Sequence, residues 1–204
     1  MTSAHPHFLT LSGSNALSNL RREKLLKQIQ AINPDIQGVE AQFIHYVWLT
    51  QAADQVLKDK LAGLLDYGEP VDHVPQTGPQ LWVLPRIGTV SPWASKATDI
   101  AHNCGLDSVK RLERAIAYRL QIRSRLVGTR KTLAQEQLQQ LAALLHDRMT
   151  EVTFSLEADE MLSPAPIFSE RSGTPMATIA VLTQGKAAIV AANTTLGLAL
   201  SEDE

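Results

Sequence analysis

The chain has 204 residues, 44 % hydrophobic and 20 % charged, a composition that allows a packed core and argues against wholesale disorder. Nineteen basic and twenty-one acidic residues leave a net charge of −2, which speaks against a dedicated nucleic-acid binder. The single cysteine, Cys104, excludes an internal disulfide and fits a reducing compartment. No apolar run approaches the roughly 18 residues of a membrane span, and the start "MTSAHPHF" has neither the basic nor the apolar region of a secretory signal. The expectation is a soluble cytoplasmic protein with no membrane partner.

In chain order, "FLTL" (8–11) reads as a short strand. "SGSN" offers helix caps, and Leu17, Leu20, Leu25, Ile29 and Ile32 then follow at near-helical spacing. "VEAQFIHYVWL" (39–49), rich in β-branched and aromatic residues, predicts a buried strand. "ADQVLKDKLAGLLDYG" places Val56, Leu57, Leu61, Leu64 and Leu65 on one helical face, with Gly68 as a stop. The Pro-rich "EPVDHVPQTGPQ" (69–80) is a linker, and the pattern begins again. "LWVLPRIG" is a strand whose Pro85 suggests an edge or a bend. "SPWASKATDIAHNCGL" (91–106) is a helix, "VKRLERAIAYRLQIR" (109–123) an alternating strand, and "LAQEQLQQLAALLHDRM" (133–149) a second amphipathic helix.

This order predicts an α+β domain of two related strand–helix–strand–helix halves, about 8–68 and 80–149. Residues 155–176 are acidic and Pro-rich, like a tether. "AVLTQGKAAIVAANTTLGLALSEDE" then reads as an apolar helix with nothing to bury against, which suggests a missing continuation. The expected division is 1–149 and a mainly helical segment over 150–204.

The stretch 91–106 concentrates the chemistry-bearing side chains. Ser91 suits an N-cap, Pro92 the first helical position and Gly105 the residue past the end. Trp93, Ala97, Ile100, Ala101 and Cys104 fall on one stripe, which predicts Cys104 as a small buried hydrophobe rather than a nucleophile. Ser95, Thr98, Asp99 and His102 share the opposite side. A Ser–His–Asp triad does not fit, because Ser95 and His102 would lie about 10 Å apart along the axis and a nucleophile needs its base within roughly 3 Å. An Asp99–His102 contact one turn apart is expected instead.

Two readings of Thr89, Ser91, Ser95, Lys96 and Thr98, with Arg86 upstream, stay open at this point. The helix start could hold a phosphate or carboxylate, or these residues could only cap the helix and pair across a domain surface. The Gly-rich pattern of a nucleotide loop is absent, so ATP is not the expected anion. The basic segment 108–131 has almost no interleaved aromatics for base stacking, and reads as the solvated face of a strand plus a basic loop rather than an RNA contact. His45 is expected as a satisfied core or interface histidine. His146 is expected at a helix C-terminus.

"LPRIGTVSPWASKATDIAHNCGL" resembles the N-terminal region of the large, single-chain phosphoribosylformylglycinamidine synthases, purine-pathway amidotransferases. "RREKLL", "LLDYG", "RLERAIAY", "LHDRMTE" and "LTQGKAAIVAANTTLGLALSEDE" agree in order and spacing, so the resemblance spans essentially the whole chain. "MTSAHPH" and "RSRLVGTRKT" look longer than the family pattern, which puts local surface detail in doubt. The resemblance implies a cytoplasmic enzyme of well over a thousand residues. Its C-terminal glutaminase domain releases ammonia with a Cys–His–Glu set. Its central synthetase domain uses ATP and Mg²⁺ to phosphorylate the amide oxygen of formylglycinamide ribonucleotide, and ammonia then displaces the phosphate.

The family's N-terminal domain resembles a fused pair of a small accessory subunit, followed by a mostly helical linker. None of its glutaminase, ATP-binding or metal-ligating residues falls on these positions, and Cys104 does not match the catalytic cysteine. The resemblance therefore implies a catalytically inert N-terminal piece with no cofactor of its own, whose partners are the synthetase and glutaminase domains of the same polypeptide. Arg86, Ser91, Ser95, Lys96, Asp99 and His102 are the candidate docking or anion-binding surface. A free-standing module capturing a phosphorylated metabolite at 89–98 is the alternative.

Overall fold

The computed structural model describes residues 7–71, 78–123, 133–157, 160–169, 178–201 and 203. The chain divides into two compact units, Met1–Glu170 and Arg171–Glu204. The first is α+β. Its elements run β1 (His7–Asn15), α1 (Asn19–Ile32), β2 (Ile36–Leu49), α2 (Gln55–Leu64), β3 (Gln80–Pro85), α3 (Pro92–Asn103), β4 (Val109–Ile122), α4 (Gln135–Leu145) and β5 (Glu151–Leu156). The strands form one antiparallel sheet in the order β1-β2-β4-β3-β5.

The two expected halves are present, and their correspondence is close. β1, α1 and β2 begin at residues 7, 19 and 36, while β3, α3 and β4 begin at 80, 92 and 109, each 73 residues later. The shift becomes 80 between α2 and α4 (55 to 135), so the extra length falls between β4 and α4. That interval contains the basic loop, of which residues 124–132 lie outside the described residues. β2 and β4 are the long central pair, with Phe43 opposite Ile116. Because the same shift carries Phe43 onto Ile116, an approximate twofold axis passes through that pair.

Period-two alternation in the strands separates two cores. On the helix-bearing face, Val39, Ala41, Leu81, Val83 and Leu120 pack with Ile29 of α1 and with Leu141 and Leu145 of α4. Val47, Leu49 and Leu112 pack with Leu61 and Leu65 near α2 and with Ala101 of α3. The opposite face buries Ile44, Tyr46, Trp82, Leu84, Ala115 and Ala117 beneath a strap over residues 160–169. Ile167 and Phe168 of the strap are 4 % and 3 % exposed.

Two expectations need correction. The division after residue 149 falls before β5, whose six residues pair with β3, so the first unit runs on through the strap. Val152, Phe154 and Leu156 alternate with polar residues, as a strand requires. Pro85 is not on an edge strand. It ends an interior strand, opposite Glu151, where the missing N–H costs no central ladder bond.

The second unit, described by itself, contains α5 (Val181–Gln184) and α6 (Lys186–Leu196), separated by Gly185. Gly197 takes the left-handed conformation (φ 64°) that closes α6. No residue of either helix is buried, and Leu182, Val190 and Leu196 are exposed.

Candidate functional site

The start of α3 is held from inside the protein. Ser91 sits at the N-cap in extended geometry, and its Oγ accepts the Ala94 N–H at 3.0 Å. The same hydroxyl donates to Glu113 Oε1 at 2.7 Å, while Glu113 Oε2 accepts from Arg111 Nη2 at 2.8 Å. Arg111 Nη2 also donates to Thr89 O at 2.7 Å. Glu113 is fully buried, so its carboxylate is the negative charge that the helix dipole favours. The matching positions of the first half, 73 residues earlier, are Ser18 and Glu40. Ser18 is the N-cap of α1, and Glu40 pairs with Arg22 of the first turn at 3.0 Å.

Further along, α3 covers a bare sheet edge. β3 reaches β4 only over Ile116–Arg119, which leaves β4 residues 109–115 without a strand on that side. Thr98 Oγ1 accepts the Leu112 N–H at 3.0 Å, and His102 Nε2 donates to Val109 O at 2.6 Å. An unpaired edge is thus satisfied by side chains. The first half does the same: Gln30 Nε2 donates to Ile36 O, the first residue of β2, at 3.1 Å. His102 is therefore engaged with β4 rather than with Asp99.

The six expected surface residues do not converge. Arg86 and Ser91 line a 490 Å³ recess with Thr89, Met149 and Glu151. Ser95 and Asp99 are exposed on the outer side of α3 and line no described recess. Lys96 borders a different cleft, between α2 and α3, and His102 caps the strand edge. Cys104 is exposed rather than buried. The helix ends at Asn103, and Gly105 (φ 76°) turns the chain, so residue 104 leaves the apolar stripe. His146 follows α4, with Nδ1 bonded to Ala142 O, as a helix C-terminus favours.

A second cluster lies near the twofold axis, on the helix face of the sheet. His45 and Arg114 are cross-strand neighbours. Tyr67 Oη lies 2.7 Å from His45 Nε2 and 3.0 Å from Arg114 Nη1, which donates to it. The Arg114 guanidinium lies over the rings of Phe43 (4.2 Å) and Trp93 (4.7 Å), and the Trp93 ring stacks on His45 at 5.6 Å. Burial first, then the Arg114 charge, pushes the His45 pKa down from 6.5 to about 4, so this histidine is neutral near pH 7. His45 Nδ1 and Ser14 Oγ are buried without a hydrogen-bond partner among the described residues. A Cβ on Gly13 would lie 2.9 Å from His45 Nδ1 and overlap Cε1, so only glycine lets β1 pass this ring.

Sequence reading placed His45 in the core but missed Tyr67 and Arg114, because three elements bring them together. It also read the 108–131 segment as a solvated face, and that reading needs correction for β4. Arg111 is ion-paired, Arg114 sits between rings, and Arg119 Nη1 donates to Gln42 at 3.0 Å. Lys110 lies 3.6 Å over Trp48.

Fold and site together define an α+β domain of two fused βαβα halves, in which Ser91, Thr98, His102, Arg111 and Glu113 are bonded within the fold. Residues 42–162 match the family described as formylglycinamide ribonucleotide amidotransferase N-terminal. The chain belongs to that family, and is the N-terminal region of a phosphoribosylformylglycinamidine synthase. No helix among the described residues is long and apolar enough to cross a membrane.

Proposed function

We propose that the chain is an accessory and docking domain of a cytoplasmic glutamine-dependent ligase that converts formylglycinamide ribonucleotide, glutamine and ATP to formylglycinamidine ribonucleotide, glutamate, ADP and phosphate. ATP and Mg²⁺ act in the synthetase domain, glutamine is hydrolysed in the glutaminase domain, and this domain turns nothing over. The family match over residues 42–162 carries the reading. It is supported by the internal employment of Ser91, Thr98, His102, Arg111 and Glu113, which leaves those groups bonded within the fold. The exposed face of α3, with Ser95, Lys96 and Asp99, is the docking surface, flanked by Arg86. Capture of a free phosphorylated metabolite at residues 89–98 is the weaker reading, because the Glu113 carboxylate already occupies the helix start and Glu151 borders the recess.

The test is the full-length enzyme with and without residues 1–170, followed by glutamine-dependent ADP release. The truncated enzyme should lose activity and regain it when the separate 204-residue chain is added. Full activity without this region, or glutamine hydrolysis by the isolated chain, defeats the reading.

A further inference from the structure

The approximate symmetry fails between the helices too, and there the protein keeps an open cleft. Between α1 and α4 the helices pack directly: Leu25, Leu26, Leu138 and Leu144 close over Ile29, Leu141 and Leu145. The matching space between α2 and α3 stays open to 340 Å³, within the ~300–1,000 Å³ range of small-molecule sites. Leu64, Tyr67, Trp93, Ala97 and Ile100 form its walls, and Lys96 borders it. Ile100 is half-exposed, although the matching residue of the first half is Lys27.

The two aromatic walls are held rigidly from behind. Trp93 is pinned by the Arg114 guanidinium and by the His45 ring, and Tyr67 is fixed through its hydroxyl by His45 and Arg114. A buried, partly unsatisfied polar network is costly in a core. Here it fixes two rings that line a cavity, which lowers the ordering cost of binding. The local charge is one-sided. Among the described residues no carboxylate lines the cleft, and neither Lys96 nor Arg114 is in an ion pair. Asp66 and Asp99 are nearby in sequence but outside the lining.

From the open cleft, its preset aromatic walls and the one lining cation, Lys96, we infer that the α2–α3 cleft binds a small amphipathic monoanion, with a flat or branched apolar body between Tyr67, Trp93 and Ile100 and a carboxylate towards Lys96. Lys96 is shared with the docking face, but the walls of the cleft are not, and binding to the isolated chain tests the site apart from that reading. The probe is indole-3-acetate, titrated calorimetrically into the whole 204-residue chain beside its neutral analogue indole-3-acetamide. The acetate should bind saturably, and the acetamide more weakly by roughly three- to five-fold, the scale of one rim charge.

Lys96→Gln, at an exposed position, should weaken the acetate by the same factor and leave the acetamide unchanged. Ala97→Trp fills the cleft without removing any core group and should abolish both, with an unaltered far-ultraviolet dichroism spectrum. Equal affinity for the two probes, saturation by neither, or binding that survives Ala97→Trp overturns the proposal. So does a dimer in sedimentation that Ala97→Trp disperses, since the cleft would then belong to a second copy.

Discussion

Ser91 and Glu113 meet across a 2.7 Å hydrogen bond, and the serine hydroxyl that makes it also caps α3. One side chain thus ties the helix start to the one carboxylate of β4. Glu113 is fully buried and its other oxygen takes Arg111, whose side chain is 13 % exposed, so removing the carboxylate strands a mostly covered guanidinium. Glu113→Ala should cost about 3–5 kcal/mol, the usual loss when one member of a buried pair is deleted. Ser91→Ala should cost about 1–2 kcal/mol for the cap. Urea denaturation of both single variants and the double variant reads the coupling. Strictly additive losses would show that the two residues act independently.

The His45 ring gives stability a pH dependence with a definite sign. Its folded pKa, about 4, lies below the ordinary 6.5, so the unfolded chain binds the proton more readily between those values. The stabilisation from keeping His45 neutral is complete above about pH 6.5 and is lost as pH falls towards 4. Its size is about 3 kcal/mol from the shift. Denaturation measured from pH 7.5 to 4.5 should show this loss, and His45→Phe should flatten that part of the curve. An unchanged slope in the variant would place the titration elsewhere.

The elements of the first unit were largely legible because their signals are local. Serine, proline and glycine punctuate α3, and period-two alternation marks β4. The twofold plan was legible as a repeated order of elements. Its axis was not, because the opposition of Phe43 and Ile116 is a matter of register. Glu113 and Arg114 looked like solvated charges because nothing in "RLERAIAY" says that α3 covers one edge of this strand and Trp93 lies over the next residue. β5 carried an alternating signal in Val152, Phe154 and Leu156, but the acidic, proline-rich sequence after it obscured the pattern.

Cys104 is exposed at the end of α3. Its thiol should therefore react with Ellman's reagent in the folded chain at a rate near that in denaturant, with one equivalent per chain. The apolar stripe of α3 alone would have placed it inside. A reaction slowed by orders of magnitude in the folded state would restore that arrangement and contradict the turn at Gly105.

The strap over residues 160–169 decides where the first unit ends. Phe168 stacks on Phe8 at 5.5 Å and lies 5.7 Å from Trp48, while Arg111 rests 5.4 Å from its ring centre. Tyr46 Oη donates to Leu162 O at 3.3 Å, anchoring the other end of the strap on β2. Removing the strap would bare Ile44, Tyr46, Trp82 and Leu84, a contiguous apolar sheet face. Phe168→Ala should cost about 3–5 kcal/mol, as aromatic truncations in cores do. A chain ending at residue 157 keeps all five strands yet should bind a hydrophobic dye and self-associate, whereas one ending at residue 170 should remain compact. If the two truncated chains melt at the same temperature, the strap adds nothing to the core, and the unit closes at β5.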